Sequence, residues 1–262
     1  MSGRPDHAPA APRRFDLSSD VGERPGPDGL AADAALLDIV TSANVACGGH
    51  AGDATSMTAL CELAVERGVA IGAQVSYLDR EGFGRRRLDV PPRILAEQLR
   101  EQWGELNAAA AAAGARADYL RPHGALYNTA LVDDEVALAV LDAAPPATRV
   151  LCLAGTALAG AAQHRGNPVT TEVFADRAIT PNGLLVPRDR PGAVVADPAA
   201  VQERLVEWAV TGTLTAIDGS RVRIVAESIC IHSDTPGALA AASALRAALE
   251  QAGAVIRPFA QP

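Results

Sequence analysis

Short apolar segments alternate with longer amphipathic segments along most of the chain, from Phe15 onward. The short segments have the length of β-strands and run into polar residues, which predicts a strand at each of them. We predict seven strands, over residues 14–19, 42–47, 69–74, 117–121, 149–154, 169–174 and 223–231.

The longer segments repeat their apolar residues at helical spacing. Asp53 predicts the N-cap of one helix, and Gly68 predicts its end. The two prolines at 91–92 open a longer helix that ends before Gly114. The stretch after Glu23 is expected to form a loop at the rim. Further helices are predicted over residues 133–143, 156–164, 197–210 and 236–252.

Strands that alternate with helices call for a parallel sheet with right-handed crossovers. At 262 residues the chain has the usual length of a barrel built in this way. We therefore predict an α/β fold, an irregular seven-stranded TIM-like (β/α) barrel that forms a single catalytic domain over residues 14–262. An open doubly wound sheet is the alternative. Residues 1–13 are rich in Pro and Ala, which predicts a disordered tail.

Ionisable and polar side chains gather where the predicted strands end. The carboxyl ends of parallel barrel strands share one rim, where the catalytic groups of such barrels lie. The clustering therefore predicts an enzyme active site at this rim. The candidate residues are Asp20, Glu23, His50, Asp53, Gln74, Arg121, His123, Asn128, Asp176, Arg177, His232 and Asp234.

Some of the candidates also have a structural interpretation. Asp53 and Asp234 each precede a predicted helix, so either fits the role of an N-cap as well as a chemical role. His50 stands between glycines, which favours a tight loop that presents its imidazole. Arg85 and Arg86 belong to a basic run that either faces solvent or binds a carboxylate or phosphate group.

The carboxylates and imidazoles permit two chemistries. If a divalent metal is bound, Asp20 and His50 are its predicted ligands, and Gln74 stands where the third strand would supply another. An amide is a poor zinc ligand. The other interpretation is therefore a metal-free site in which His50 or His123 works as a general acid or base.

Composition and charge exclude several functions. The net charge of −8 argues against a nucleic-acid-binding surface. All 23 basic residues are arginine, which excludes a Walker-type phosphate loop and a lysine Schiff base. The four cysteines form no C-x-x-C pair, and no segment reads as a signal sequence or a membrane span. We expect a cytoplasmic protein that binds neither membranes nor nucleic acid.

Seven stretches of the chain carry, in order, the motifs of a known family. They are D-L-S-S-D-V-G-E at 16–23, S-A-N-V-A-C-G-G-H-A-G-D at 42–53, G-F-G-R-R at 82–86, P-H-G-A-L-Y-N at 122–128, E-V-F-A-D-R at 172–177, L-V-P-R at 185–188 and H-S-D-T-P at 232–236. With these motifs the sequence resembles the LamB/YcsF family, the A subunits of bacterial ATP-dependent 5-oxoprolinase. It departs from the family pattern at Ser18, where Asn is common, at Arg121, where Lys is common, and at 74–77, where Gln-Val-Ser-Tyr replaces His-Pro-Gly-Tyr.

The resemblance implies a barrel similar to those of glycoside hydrolases and deacetylases. It implies that the lactam 5-oxo-L-proline is cleaved to L-glutamate while ATP is hydrolysed. ATP is then a co-substrate, and its site is unconventional or shared with partner subunits because the chain has no phosphate-loop motif. The implied partners are 5-oxoprolinase subunits B and C. Two alternatives stay open, a metal-dependent hydrolase similar to carbohydrate deacetylases and a non-catalytic relative of the enzyme.

The resemblance also implies roles for the rim residues. Asp20 and His50 are expected to act as the base or to position water, and His123 and His232 to donate toward an oxyanion or the ring nitrogen. Asp176 completes the expected catalytic set. The residues expected to bind substrate or phosphate are Glu23, Asp53, Gln74, Arg85, Arg86, Arg121, Asn128, Arg177 and Asp234.

Overall fold

Seven parallel strands close into a barrel in the structure, a computed structural model that describes residues 13–232 and 237–260. Neighbouring barrel strands follow one another in chain order, and the last of them, Ser228–Ile231, pairs back with the first, Arg14–Val21. The predicted seven-stranded barrel is therefore confirmed, and the open sheet is excluded. The strands are β1 (Arg14–Val21), β2 (Ser42–Ala46), β3 (Ala70–Val75), β4 (Tyr119–Pro122), β5 (Arg149–Cys152), β6 (Val169–Phe174), β7 (Thr213–Thr215), β8 (Arg221–Arg223), β9 (Ser228–Ile231) and β10 (Val255–Ile256).

Helices cover the outside of the barrel, and the predicted ones form close to their predicted bounds. Asp53 caps its helix in a capping box with Ser56, and Gly68 ends that helix in the left-handed conformation. The structural interpretation of Asp53 is thus correct. The helices are α1 (Gly26–Leu37), α2 (Ala54–Arg67), α3 (Pro92–Ala112), α4 (Gly124–Ala130), α5 (Asp134–Leu141), α6 (Ala157–His164), α7 (Pro198–Thr211) and α8 (Ala238–Gln251).

The structure adds helix α4 and the short strands β7 and β10, which were not predicted, and it differs from the prediction in two further segments. The stretch after Glu23, predicted as a loop, forms α1, because a proline in the first helical turn costs no hydrogen bond there. The buried Asp33 of α1 accepts the backbone N–H of Gly22 at 2.7 Å, which ties the helix to the end of β1. Of the predicted strand 223–231, only residues 228–231 form the barrel strand β9; Arg223 ends β8 of the antiparallel hairpin β7–β8, and residues 224–227 belong to no strand.

Two predictions concern residues that the structure does not describe. Of the predicted tail 1–13 only Arg13 is described, and Asp234 lies in the gap before α8. Within the described part of the chain, no helix combines the length and apolarity that crossing a membrane requires.

Strand β1 alternates between the two faces of the barrel wall. Phe15 and Leu17 belong to the hydrophobic core, where the Phe15 ring packs at 5.1 Å from that of Trp208 on α7. Asp16, on the other face, is buried and accepts hydrogen bonds of 2.6 Å from the hydroxyls of Thr41, Ser42 and Ser228. The interior of the barrel is therefore polar, and burial raises the pKa of Asp16 to about 6 despite these hydrogen bonds.

A tyrosine crosses this interior above a glycine. The Tyr119 hydroxyl donates to Asn44 Oδ1 at 2.8 Å, and the ring lies over Gly72 of β3. A Cβ atom on Gly72 would stand 2.1 Å from two carbons of that ring. Since the ring is fully buried and held by its hydroxyl, position 72 has no room for a side chain.

We predict that Gly72→Ala lowers the free energy of unfolding by about 1–3 kcal/mol, the usual cost of overpacking a core. Urea denaturation measures the change. Gly104→Ala is the matched control, because Gly104 is exposed on α3 and has nothing within 4 Å of its would-be Cβ. There the substitution should stabilise the helix by about 1 kcal/mol. Equal effects of the two variants would contradict the prediction.

Asp16 gives a second prediction, about pH. Because its folded pKa of about 6 exceeds the ordinary 3.8, its carboxylate form destabilises the fold above pH 6. That cost, at most about 3 kcal/mol, is relieved as the pH falls from about 6 to about 4. We expect the wild-type chain to gain stability relative to Asp16→Asn over this window in urea denaturation. The exposed Asp89→Asn is the control, and a difference between wild type and Asp16→Asn that stays constant with pH would refute the prediction.

Candidate active site

A buried arginine crosses the barrel below the rim. Arg121 of β4 donates from Nη1 to Asp20 Oδ1 of β1 at 2.8 Å, and its Nε lies 3.4 Å from Glu172 Oε2 of β6. Its Nη2 donates to the Cys230 sulfur of β9 at 3.3 Å. All four side chains are buried, so one guanidinium links four strands of the barrel.

The charge of this guanidinium sets the state of the carboxylates around it. Burial alone would raise the pKa of Asp20, but Arg121, with smaller contributions from two histidines, lowers it to about 2. Asp20 Oδ1 also accepts the amide of Asn44 at 2.9 Å. Burial raises the pKa of Glu172, against the opposing effect of Arg121. Asp20 is thus a fixed anion and a weak base.

Glu23, His50 and His123 form a second cluster at the rim. Glu23 Oε1 lies 3.1 Å from Nε2 of His50 and 3.3 Å from Nδ1 of His123. The two imidazole rings stack with their centroids 3.7 Å apart and 4° between their planes. Burial, together with the neighbouring His50, holds the pKa of His123 well below its usual range. The side chains of both histidines and of Glu23 are buried and form one compact group.

Each histidine of the cluster has a further partner. His50 Nδ1 lies 3.1 Å from the Ser76 hydroxyl, which itself donates to the Tyr77 carbonyl at 2.9 Å. His123 Nε2 lies 3.2 Å from the carbonyl oxygen of Phe83, and its Nδ1 lies 3.1 Å from Gln74 Nε2. Gln74 is fully buried, and its Oε1 has no hydrogen-bond partner among the described residues.

Two backbone segments hold the cluster in place. The loop that carries His50 turns at Gly52, where φ is +83° and a Cβ would meet the carbonyl oxygen of Ala46 at 2.1 Å. Arg80 donates to the carbonyls of Gly48 and Gly52 and closes this loop. The tight loop predicted around His50 is thus confirmed.

The segment at 82–86 covers the two histidines. Phe83 has a φ of +54°, a left-handed conformation that is strained for a residue with a side chain. Its ring meets those of His50 and His123 edge-on at 5.3 and 5.5 Å. Gly84 follows at φ +64°, where a Cβ would stand 2.9 Å from His50 Cβ.

A third group lies on the opposite side of the rim. His232 Nδ1 is 2.6 Å from Asp176 Oδ1, and Arg188 Nη2 is 3.5 Å from His232 Nε2. Burial disfavours the charged imidazole, but Asp176 outweighs burial and raises the pKa of His232. The pKa of Asp176 is lowered in turn, because His232 outweighs the effect of burial on it. The pair has the arrangement of an acid–base histidine oriented by a carboxylate.

Two cavities open beside these groups. The first has a volume of about 430 Å³ and is lined by His123, His232 and Asp20 together with arginines 85, 87, 121, 177 and 188. The second, of about 630 Å³, is lined by Glu23, His50, Asp53, Arg80 and Phe83 among others. Because Glu23 and His50 line one cavity and His123 the other, the cluster forms part of the wall between them.

The structure brings most of the predicted rim residues together, though not in the pairs that the sequence indicates. Asp20 and His50, the predicted metal ligands, belong to different groups, since Asp20 lies near Cys230 and His232. Asn128 and Arg85 line the first cavity, as a binding role requires. Arg86 pairs with Asp79 and lines neither cavity, and Arg177 donates to the carbonyls of residues 186 and 193.

Several residues that shape this site had no predicted role. Glu172, Ser76, Phe83 and Arg188 all stood inside or beside recognised motifs. Glu172 is a charged residue in the middle of a strand, and alternation along β6 signals that it faces the same side as Phe174. No local pattern shows that Ser76 and Phe83 are partners of the two histidines, since those contacts join segments far apart in the chain.

Comparisons with known proteins agree on the family. The model of the LamB/YcsF family matches residues 15–262. The 5-oxoprolinase A subunit of Streptomyces griseus subsp. griseus is 52% identical over 249 residues, which are 94% of this chain and 100% of that protein. The 5-oxoprolinase A subunit of Paracidovorax citrulli is 49% identical over 94% of this chain and 99% of its own.

A solved structure confirms the fold. The crystal structure of a lactam utilization protein from Thermus thermophilus superposes with a TM-score of 0.85 at 35% sequence identity, over 94% of this chain and 100% of that one. The seven-stranded barrel and the order of its motifs are thus those of a family whose relatives include a lactam utilization protein.

The Arg121 network generates a stability prediction. Arg121→Met leaves two buried carboxylates without a cation and should cost about 3–5 kcal/mol of unfolding free energy. The triple variant Arg121→Met, Asp20→Asn, Glu172→Gln removes the charges together and should recover most of that loss. Thermal unfolding and the yield of folded chain measure both. A single variant as stable as wild type, or a triple variant no better than the single, would contradict this account.

Proposed function

We propose that this chain, which belongs to the LamB/YcsF family, is the A subunit of a 5-oxoprolinase that converts 5-oxo-L-proline to L-glutamate with hydrolysis of ATP. Relatives named as 5-oxoprolinase A subunits support the reaction, and their naming as subunits supports a complex. Subunits B and C are the proposed partners. The proposed location is the cytoplasm.

The first cavity is the observation that carries this proposal. Its volume of about 430 Å³ is in the range of small-molecule sites, and five arginines line it although the whole chain has a net charge of −8. A guanidinium binds carboxylates and phosphates through paired hydrogen bonds. A small lactam acid and a transferred phosphoryl group both carry the negative charge that this lining favours.

The chemistry explains why such a site needs ATP. A five-membered lactam keeps its amine beside its carbonyl at high effective molarity, so ring closure competes strongly with hydrolysis. Transfer of the γ-phosphoryl group to the lactam oxygen makes the ring carbon a better electrophile. Water then adds to that carbon, the protonated ring nitrogen leaves, and a second water hydrolyses the resulting acyl phosphate. The balance is one ATP and two waters for each glutamate, ADP and phosphate.

His232 is the proposed acid for the ring nitrogen. Its Nδ1 faces Asp176, which leaves Nε2 as the atom that exchanges a proton in the cavity. Because its pKa is raised, the protonated form persists closer to neutral pH than for an isolated imidazole. Arg188, 3.5 Å from Nε2, is the proposed partner of the substrate carboxylate or of the phosphoryl group.

The fixed anion Asp20 balances the positive charge of Arg121 below this cavity. We assign it an electrostatic role, since a carboxylate with a pKa of about 2 is a poor proton acceptor. The nucleotide site is proposed to be shared with subunits B and C, because the chain has no lysine and no phosphate loop.

Reconstitution tests the proposal. The chain is mixed with candidate subunits B and C, ATP and 5-oxo-L-proline, and glutamate is measured. We expect His232→Gln to lower kcat by about 100-fold or more and to remove a limb of the pH profile. Arg188→Met should raise KM more than it lowers kcat. His164→Gln, at an exposed histidine on α6, is the matched control.

Three outcomes would overturn parts of the proposal. Glutamate formed equally well by His232→Gln would remove the proposed acid. Failure of any lactam to yield glutamate with ATP and both partners would favour the non-catalytic alternative. Turnover of an acetylated sugar without ATP would favour the deacetylase-like alternative.

A further inference from the structure

The contact with Ser76 bears on which ring nitrogen of neutral His50 carries the proton. The Ser76 hydroxyl has one proton, and while it donates that proton to the Tyr77 carbonyl it can only accept from His50. In this arrangement neutral His50 carries its proton on Nδ1, whereas the other tautomer would donate from Nε2 to Glu23. With the proton on Nδ1, Nε2 presents a lone pair toward Glu23 Oε1 at 3.1 Å.

For His123, the hydrogen-bond partner places the proton on the other ring nitrogen, Nε2. A carbonyl oxygen cannot donate, so the contact with Phe83 O requires the proton on His123 Nε2. His123 Nδ1 then carries a lone pair, which lies 3.1 Å from the Gln74 amide nitrogen and 3.3 Å from the same oxygen of Glu23. Two nitrogen lone pairs and one carboxylate oxygen thus converge within hydrogen-bond distance, and a single proton can bridge only one of the two contacts.

We propose that Glu23, His50 and His123 bind one divalent first-row transition metal ion. Two imidazoles and one carboxylate are a common ligand set for such ions. In a tetrahedral site with bonds of about 2.0–2.1 Å, ligand atoms stand about 3.3 Å apart. The separations from Glu23 Oε1, 3.1 and 3.3 Å, match this spacing. The two rings are stacked almost parallel, so at least one imidazole must rotate about its side-chain bonds to point both lone pairs at the ion.

The surroundings of the cluster have the features of a metal site. Ligating histidines donate their other N–H to a fixed acceptor, which sets ring orientation, and Ser76 and the Phe83 carbonyl do this here. Phe83 is held in a strained left-handed conformation at the point where its carbonyl makes that contact. Backbone strain of this kind persists where neighbouring contacts impose it, often at functional sites.

Gln74 supplies a second, independent observation. It is fully buried, Nε2 lies 3.1 Å from His123 Nδ1, and Oε1 has no hydrogen-bond partner among the described residues. A half-turn of the amide exchanges its two ends. Oε1 would then face the cluster, either as an oxygen ligand or as the acceptor of a proton from a metal-bound water.

The neighbouring group of Asp20, Cys230 and His232 does not compete for the ion. Arg121 already supplies a positive charge there, bonded to both Asp20 and Cys230. Burial raises the pKa of Cys230 well above its usual range, so the sulfur remains a thiol. A cation at that position would have to displace or repel the buried guanidinium.

Titration of the isolated chain tests the inference without ATP, lactam or partner subunits, so its outcome is independent of the proposed function. The tag-free chain is stripped with a chelator, and Zn²⁺ binding is measured by calorimetry. We expect one saturable site. Co²⁺ should give visible absorption bands from nitrogen coordination, whereas Mg²⁺, which prefers oxygen ligands, should bind far more weakly.

Variants assign the ligands. Glu23→Gln keeps the shape of the side chain and should weaken Zn²⁺ binding by about 100-fold or more, as should His123→Ala, with circular dichroism showing that both fold. Ser76→Ala should weaken it by about 10- to 100-fold while one site remains. His164→Gln should leave binding unchanged. Absence of saturable binding, or binding that survives Glu23→Gln and is lost in His232→Gln, would overturn the inference.

Discussion

One buried positive charge, shared by two buried carboxylates, constrains the centre of this barrel. Arg121 reaches from β4 to Asp20 on β1 and Glu172 on β6, and it also meets Cys230 on β9. The planar guanidinium carries several donors at fixed angles, so this one side chain contacts three other strands at once, whereas a lysine would present a single ammonium group. At this level the interior of the barrel consequently holds a layer of buried charges. The free-energy cost of desolvating these charges is offset only while all the partners are present.

Two regions that favour charges of opposite sign lie at the rim, next to this layer. Above Arg121 lies the first cavity, where further arginines and the His232–Asp176 pair face the space. Beside it stands the cluster of Glu23, His50 and His123, whose converging atoms all carry lone pairs. The first region has a lining that favours anions, and the second has the lone pairs that the proposed metal site requires. The proposed reaction of a phosphoryl donor, a small acid and water would benefit from both kinds of field.

Most of the fold was predictable from periodicity, because strand and helix patterns here are local. The helices capped by Asp53 and opened by the prolines at 91–92 begin at their predicted residues. Helix α1 was not predictable in this way, since its prolines and glycines are typical of a loop and no local pattern shows that Asp33 accepts a hydrogen bond from Gly22. Among site residues, the sequence placed the histidines at the rim but could not pair them, because their partners come from other strands.

The spacing of the two carboxylates at the end of β1 explains why Glu23 and not Asp20 meets the histidines. Asp20 lies within the strand, faces the barrel interior and is held by Arg121. The strand ends at Val21, and Asp33 of α1 fixes the turn at Gly22, so Glu23 stands beyond the strand. Its longer side chain reaches His50 and His123 from there. Asp20 and Glu23 are three residues apart and therefore lie at two depths of the barrel. Asp20 is a fixed counter-charge in the interior, and Glu23 lies at the rim.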